Sequence, residues 1–186
     1  KGIEFGIVGN AVGASFAVLV AEEMFVCGCE LLISMTSAGQ IVSKGTPPYF
    51  VLIEKALRDE GTSYHYLPPS PFSTINPKLM ERLNGVFEKS QPPVFPGATW
   101  TTDAPFRETE AAIAYCRSEG ILGVEMEASA LYAFAEAKIH PVICFAHITN
   151  QMGNVENDFE KGEAQGSLDA IEVISQAAEA CLLRIN

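Results

Sequence analysis

Two carboxylates, Glu125 and Glu127, stand two residues apart in the stretch Gly123 to Ala135, GVEMEASALYAFA. An ionised carboxylate only accepts hydrogen bonds, through two oxygens. It suits a ligand offering two adjacent donors, such as the vicinal hydroxyls of a ribose. Val124-Glu125-Met126-Glu127 alternates as a strand does, which puts Glu125 and Glu127 on one side and Val124 and Met126 on the other. From Ala128 onward helix formers take over, with Leu131, Phe134 and Ala135 at helical spacing. The pair therefore sits where a strand hands over to a helix N-terminus, whose dipole favours negative charge. Strand carboxyl ends are also where open α/β sheets bind ligands. An architectural reading is open beside this one: Glu127 as a helix cap and Glu125 solvated.

Other segments carry polar groups at expected strand ends. Thr36-Ser37-Ala38-Gly39 follows a strand read over Glu30 to Met35. A turn of small hydroxyl residues there exposes backbone N–H groups and two side-chain donors, which suits a phosphate or sugar oxygen. Asp103, Pro105, Phe106 and Arg107 leave the strand read over Gly97 to Thr102, and Asn150 follows one over Pro141 to Thr149. In a parallel sheet these ends lie along one edge and converge. There is no GxSxG, and neither Cys27 nor Cys29 has a nearby His. His65, His140 and His147 lack metal-ligand spacing, so no metal is expected. The set suits electrostatic stabilisation of a charged transition state better than covalent catalysis.

The elements that must position these groups alternate. Ile3 to Val8 reads as a buried strand, and a helix follows from about Ala14 to Phe25. The glycines at 6, 9 and 13 between them do not have GxGxxG spacing and read as a close-packed turn. Tyr49 to Leu57 reads as a strand, Pro68 to Pro77 as a surface loop, and Pro77 to about Glu88 as a helix capped by Asn76. Glu108 to Ser118 reads as helical. Gln151 to Gly166 lacks apolar periodicity and reads as a mobile loop or lid, or as a solvated charge run. Ser167 opens a last helix with Leu168, Ile171, Ile174, Ala178, Cys181, Leu182 and Ile185 on one face. Alternation of this kind gives an α/β fold with a mostly parallel sheet and no second domain.

Composition narrows the partners. The 186 residues, 48% of them hydrophobic, suit one well-buried domain. A net charge of −11 argues against nucleic acid and against an anionic membrane surface. Neither a spanning apolar run nor a signal peptide is visible. The five cysteines include no CxxC pair and read as reduced thiols of a cytoplasmic protein. The first residues start inside what reads as a strand, so part of the domain is expected upstream.

VEMEASALYA, TSAG at 36–39, RDEGTSYH at 58–65, TTDAPFRE at 101–108 and ITN at 148–150 together resemble the nucleoside phosphorylase family. That family includes uridine phosphorylase, hexameric purine nucleoside phosphorylase and methylthioadenosine nucleosidase. The resemblance implies a Rossmann-like three-layer α/β sandwich with a central mixed, mostly parallel sheet flanked by helices, here a single domain over 1–186 lacking its first strand and Gly-rich turn. It implies cleavage of a nucleoside's N-glycosidic bond through an oxocarbenium-like state, with inorganic phosphate as co-substrate and no other cofactor. Glu127 then takes the 2′- and 3′-hydroxyls, with Met126 and Glu125 beside it. Thr36 and Ser37 take the phosphate or attacking water, and Asp103, Pro105, Phe106, Arg107 and Asn150 face the base. Pro105 falls where a base-stacking Phe is usual, and Phe106 takes over that stacking. Asn150 assists the departing base. The resemblance also implies a homo-oligomer, dimer or hexamer, with shared active sites. One departure matters: the Arg that clamps phosphate before TSAG is replaced by Ser34. A nucleosidase lacks that Arg too, so hydrolysis stands beside phosphorolysis, and a non-catalytic nucleoside-binding protein beside both.

Overall fold

A computed structural model describes residues 2–150 and 163–183; of the lid expected over 151–166, residues 151–162 lie outside them and Glu163–Gly166 form a 3-10 turn. Helix α1, Ala14–Val26, buries Ala14, Ala17, Val18 and Ala21, an i, i+3, i+4, i+7 stripe. Six strands follow: β1 (Leu32–Gln40), β2 (Tyr49–Asp59), β3 (Phe72–Thr74), β4 (Val94–Thr102), β5 (Gly123–Glu125) and β6 (Val142–Asn150). Between and after them lie α2 (Pro77–Leu83), α3 (Glu110–Ser118), α4 (Ala128–Lys138) and α5 (Ser167–Leu182). The alternation read from the sequence is thus largely present, as a mixed α/β fold with helices packed against both faces of a central sheet.

The sheet is mixed, as the resemblance implies, but the four polar strand ends do not all lie along one edge. Among the described residues β1–β6, β2–β4 and β4–β5 pair parallel, while β1–β5, β2–β3 and β2–β6 pair antiparallel. Strand order is β3-β2-β4-β5-β1-β6, and β6 pairs again with β2, so five strands close on themselves. One edge of β2 is divided, with residues 49–52 on β6 and residues 55–57 on β3. The carboxyl ends of β1 and β6 therefore do not share a direction with those of β4 and β5.

Five other expectations are corrected. Residues 3–8 form no strand: none of the described strands pairs with them, and Ile7 is 87% exposed. TSAG is not a turn; β1 runs through it with a register shift at Ala38/Gly39. The Pro68–Pro77 loop contains β3, because residues 55–57 of β2 offer it an open edge. Helix α2 stops at Leu83, ahead of Asn84 and the positive-φ Gly85, although Asn76 caps it as expected by accepting from the Lys78 N–H at 2.9 Å. The buried face of α5 is also rotated from the one expected. Val173, Ala177, Ala178, Ala180 and Cys181 are inside, while Leu168 and Ile171 are 60% and 55% exposed. Small residues pack closely against the sheet where bulky ones would not fit.

The main core lies between the sheet and α1, α2, α4 and α5; a smaller one of Ile41, Ala98, Trp100, Cys116, Ile121 and Val124 lies under α3. Tyr132 bolts α4 to the sheet, donating to the Ile53 carbonyl at 2.6 Å and accepting from the Cys144 N–H at 3.0 Å. Burial pushes its hydroxyl well above the usual range, which keeps it a donor. All five cysteines are free, and no described helix is long and apolar enough to cross a membrane.

Candidate active site

The handover at Glu125–Ala128 is built by a strand only three residues long that feeds directly into α4. Its position depends on Gly123. A Cβ there would stand 2.8 Å from Ile148 Cδ1 and 3.0 Å from the Gly39 carbonyl oxygen, so only glycine lets β5 lie this close to β1 and β6. The β1–β5 register then decides what meets Glu127. Gly39 faces Val124 and Gln40 faces Gly123, and the same antiparallel register extended three residues sets Thr36 opposite Glu127.

The side chains make that contact. Thr36 Oγ1 donates to Glu127 Oε2 at 2.7 Å, and the Gly13 N–H donates to Oε1 at 2.7 Å. A longer bond of 3.3 Å comes from the Met126 N–H. Gly13 is the residue before α1, at φ 91, a conformation that suits glycine and frees its N–H from the helix. Glu127 is 5% exposed, yet a carboxylate has about four acceptor sites, so its two short bonds leave capacity for a ligand.

Glu125 faces a different set of donors and does not reach the same place. It is 2% exposed. Its Oε2 accepts the N–H groups of Glu127 and Ala128, both at 2.7 Å, and its Oε1 accepts the hydroxyls of Thr101 and, at 3.2 Å, Thr99. The architectural reading of the sequence is therefore inverted. Glu125 holds the helix N-terminus, and Glu127 makes no side-chain cap. Burial is the main cause that raises the Glu125 carboxyl to about 7, against the lowering effect of these hydrogen bonds; the charge of Glu127 adds to the rise.

Beside Thr36 lies a cleft of about 160 Å³, lined by Met35, Thr36, Ser37, His147, Thr149 and the start of α5 at Gly166, Ser167 and Ala170. That is below the roughly 300–1,000 Å³ of drug-sized ligand sites and suits a sugar or an anion. Ser37 is exposed in it, and β1 sets Ser37 beside His147, whose ring stacks on Phe50 at 4.5 Å. The N-terminus of the 16-residue α5 opens onto the same cleft, a favourable end for negative charge. A larger cleft of about 460 Å³, between Glu54 and Thr74 on the sheet and Met80 to Asn84 around α2, contains none of the expected residues.

The base-side residues are not gathered. Pro105, Phe106 and Arg107 form a single 3-10 turn, with Phe106 fully exposed. Asp103 is exposed and accepts the Gly61 N–H at 2.9 Å, tying the turn to the end of β2. Asn150 ends β6, but its side chain is outside the described ones. Arg58, in the RDEGTSYH segment, is buried and structural. It donates to Ser63 Oγ at 2.9 Å, to the Pro68 carbonyl and Ser70 Oγ at 2.8 Å each, and lies over the Tyr64 ring. Ser34, where the clamping Arg was sought, is half-buried in β1 opposite Cys144. The sequence reading missed Gly13, Thr99 and Thr101; β-register brings in the two threonines, and the packing of α1 on α4 brings in Gly13. No group of His, Cys, Asp and Glu suited to a metal exists among the described residues.

The family model of the phosphorylase superfamily matches residues 2–184. A guanosine phosphorylase from Halorubrum lacusprofundi is 23% identical over 137 residues, 74% of this chain; the chain spans 57% of that relative's length. A solved uridine phosphorylase from Vibrio fischeri superposes with a TM-score of 0.69 at 22% identity, over 91% of this chain and 67% of that one. An AMP nucleosidase from Bacteroides thetaiotaomicron gives a TM-score of 0.69 at 21% identity, over 89% and 72%. With a matching family model over nearly its whole length and this corner at the centre of its fold, the chain belongs to the phosphorylase superfamily.

Proposed function

We propose that the protein cleaves the N-glycosidic bond of a nucleoside, by phosphorolysis to the free base and ribose (or deoxyribose) 1-phosphate. The observation that carries this reading is the Glu127 carboxylate, held between the Gly13 N–H and the hydroxyl of Thr36, a residue that lines a small polar cleft. In that position it accepts the 2′- and 3′-hydroxyls and fixes the sugar as the anomeric carbon becomes cationic. Negative charge close by favours that cation, and only contacts that strengthen in the transition state speed the step. Inorganic phosphate is the co-substrate and no other cofactor takes part. Thr36 and Ser37, with the N-terminus of α5, are the groups that meet phosphate. Asn150 receives the hydrogen-bonding role toward the departing base. Asp103, Pro105, Phe106 and Arg107 keep their base-side assignment on the resemblance alone, since their turn is exposed. The family relatives named as a guanosine phosphorylase, a uridine phosphorylase and an AMP nucleosidase support nucleoside chemistry and leave the base open. We read the assembly as a homo-oligomer with shared sites, the setting as cytoplasmic, and the sheet as Rossmann-like in placing its ligand at strand ends.

Hydrolysis is the second reading, favoured by one observation: among the described residues that line the cleft there is no Arg or Lys. A nucleoside panel assayed in phosphate buffer and in phosphate-free buffer decides between the two. Turnover that needs phosphate and yields the sugar 1-phosphate supports phosphorolysis. Equal turnover without phosphate gives the second reading. Binding without turnover in either buffer overturns both.

A further inference from the structure

We propose that Thr101, acting through Glu125, is the residue that positions Glu127. The inference rests on the sugar-binding role of Glu127 proposed above, and its geometry begins in β4. Thr101 is fully buried and is the direct neighbour of Glu125 in the parallel β4–β5 pair. Its single hydroxyl works in both directions. It donates to Glu125 Oε1 and accepts the Ser129 N–H at 2.9 Å. Glu125 Oε2 takes the next two amides, those of Glu127 and Ala128. The first N–H groups of a helix have no partner inside it. Here the amides of residues 127, 128 and 129 are all satisfied by this one carboxylate–hydroxyl couple. A second anchor fixes the same turn, since Ser129 Oγ donates to Glu60 Oε1 at 2.9 Å and the Ser63 N–H donates to Glu60 Oε2 at 2.9 Å.

Glu127 occupies the hinge between β5 and α4, with φ −130 and ψ −40, and its backbone direction sets where its carboxylate points. That backbone is held by an acceptor, so the hold is firm while Glu125 is ionised and weakens when it gains a proton. The groups around Glu125 are Thr99 and Thr101 from β4, Glu127 and Tyr132 from α4, and Cys144 from β6. Burial raises Tyr132 and Cys144 and keeps both neutral, which leaves Glu127 as the charged neighbour. The Thr101 bond lowers the Glu125 pKa against the rise from burial, so removing it moves that carboxyl above about 7.

The test compares kcat/KM against pH, and hydrogen exchange at the amides of residues 127–129, in the wild type, Thr101→Val and Thr101→Ser. Thr101→Val keeps the shape and loses both bonds. It is expected to lower kcat/KM at neutral pH at least about tenfold, to move the acid limb upward, and to speed exchange at the three amides more than in the rest of α4. Thr101→Ser retains the hydroxyl and is expected to restore all three readouts. A valine variant with wild-type activity, acid limb and exchange overturns the inference, as does a serine variant that fails equally. Should Thr101→Val not fold, Thr99→Val removes only the 3.2 Å bond to the same oxygen; a smaller upward shift is expected, and an unmoved limb overturns the inference. The two proposals fail separately. Glu127→Ala with full activity removes the sugar role, whereas the exchange of the three amides reports on Thr101 whether or not the protein turns over a nucleoside.

Discussion

The corner at Glu125–Ser129 and the turn at Pro105–Arg107 lie after neighbouring parallel strands, yet they are built in opposite ways. At the corner both carboxylates are buried and bonded, as are the amides of residues 127–129, and glycine at 123 admits the close approach that makes this possible. At the turn the side chains are exposed, and the bond from the Gly61 N–H to Asp103 ties it down from outside. A group that must meet the same pentose in every substrate gains from rigid placement on strand and helix. A group that meets different bases gains from a surface segment that tolerates change. In the proposed function the corner carries the shared part of the chemistry and the turn the substrate-specific part.

The largest effect expected is at the corner. Glu127→Ala removes two charge-assisted hydrogen bonds to the sugar, each worth about 1.5–3 kcal/mol, so kcat/KM falls about 10²- to 10⁴-fold in a steady-state assay. Gly123→Ala comes next. Its methyl meets Ile148 and the Gly39 carbonyl, and overpacking of this kind costs about 1–3 kcal/mol. Calorimetry should then show Tm lowered by roughly 2–4 °C for each kcal/mol. Thr36→Val deletes one donor to Glu127 and lowers kcat/KM about tenfold, a loss of ~1.5 kcal/mol. Phe106→Ala, at a fully exposed position, leaves stability within about 0.5 kcal/mol. If this ring stacks on the base, KM rises about fivefold, ~1 kcal/mol, with kcat kept. An unchanged KM moves base recognition to another residue.

A pH prediction sharpens the same contrast. The Glu125 carboxyl is raised in the folded protein from 4.5 to about 7. Between those values the unfolded chain has released its proton and the folded one has not. The folded state then binds more protons, and stability falls as pH rises through this window. Denaturant melts at pH 5 and pH 8 should show the higher midpoint at pH 5 from this group. The exposed turn contributes no comparable change.

Much of this corner was legible in the sequence. Period-two alternation over Val124–Glu127 followed by helical spacing from Ala128 located the strand–helix junction within a residue. The exchange of roles between the two glutamates was not legible, because it follows from which amides lie within reach of each carboxylate. Gly13 and Thr101 are 114 and 26 residues from Glu127 in sequence; the packing of α1 on α4 brings the first near and β4–β5 register the second. Periodicity also carries no information on strand direction. A mostly parallel sheet was read from alternation, which could not say that β1 and β6 run against β4 and β5. Ile3 to Val8 has strand character with no described strand beside it.

The grip of Glu127 on the sugar is tested most directly by comparing a ribonucleoside with its 2′,3′-dideoxy analogue in the wild type and in Glu127→Ala. The account predicts that removing the two hydroxyls costs the wild type a large factor in kcat/KM and the variant almost nothing. Equal losses in both proteins would contradict it.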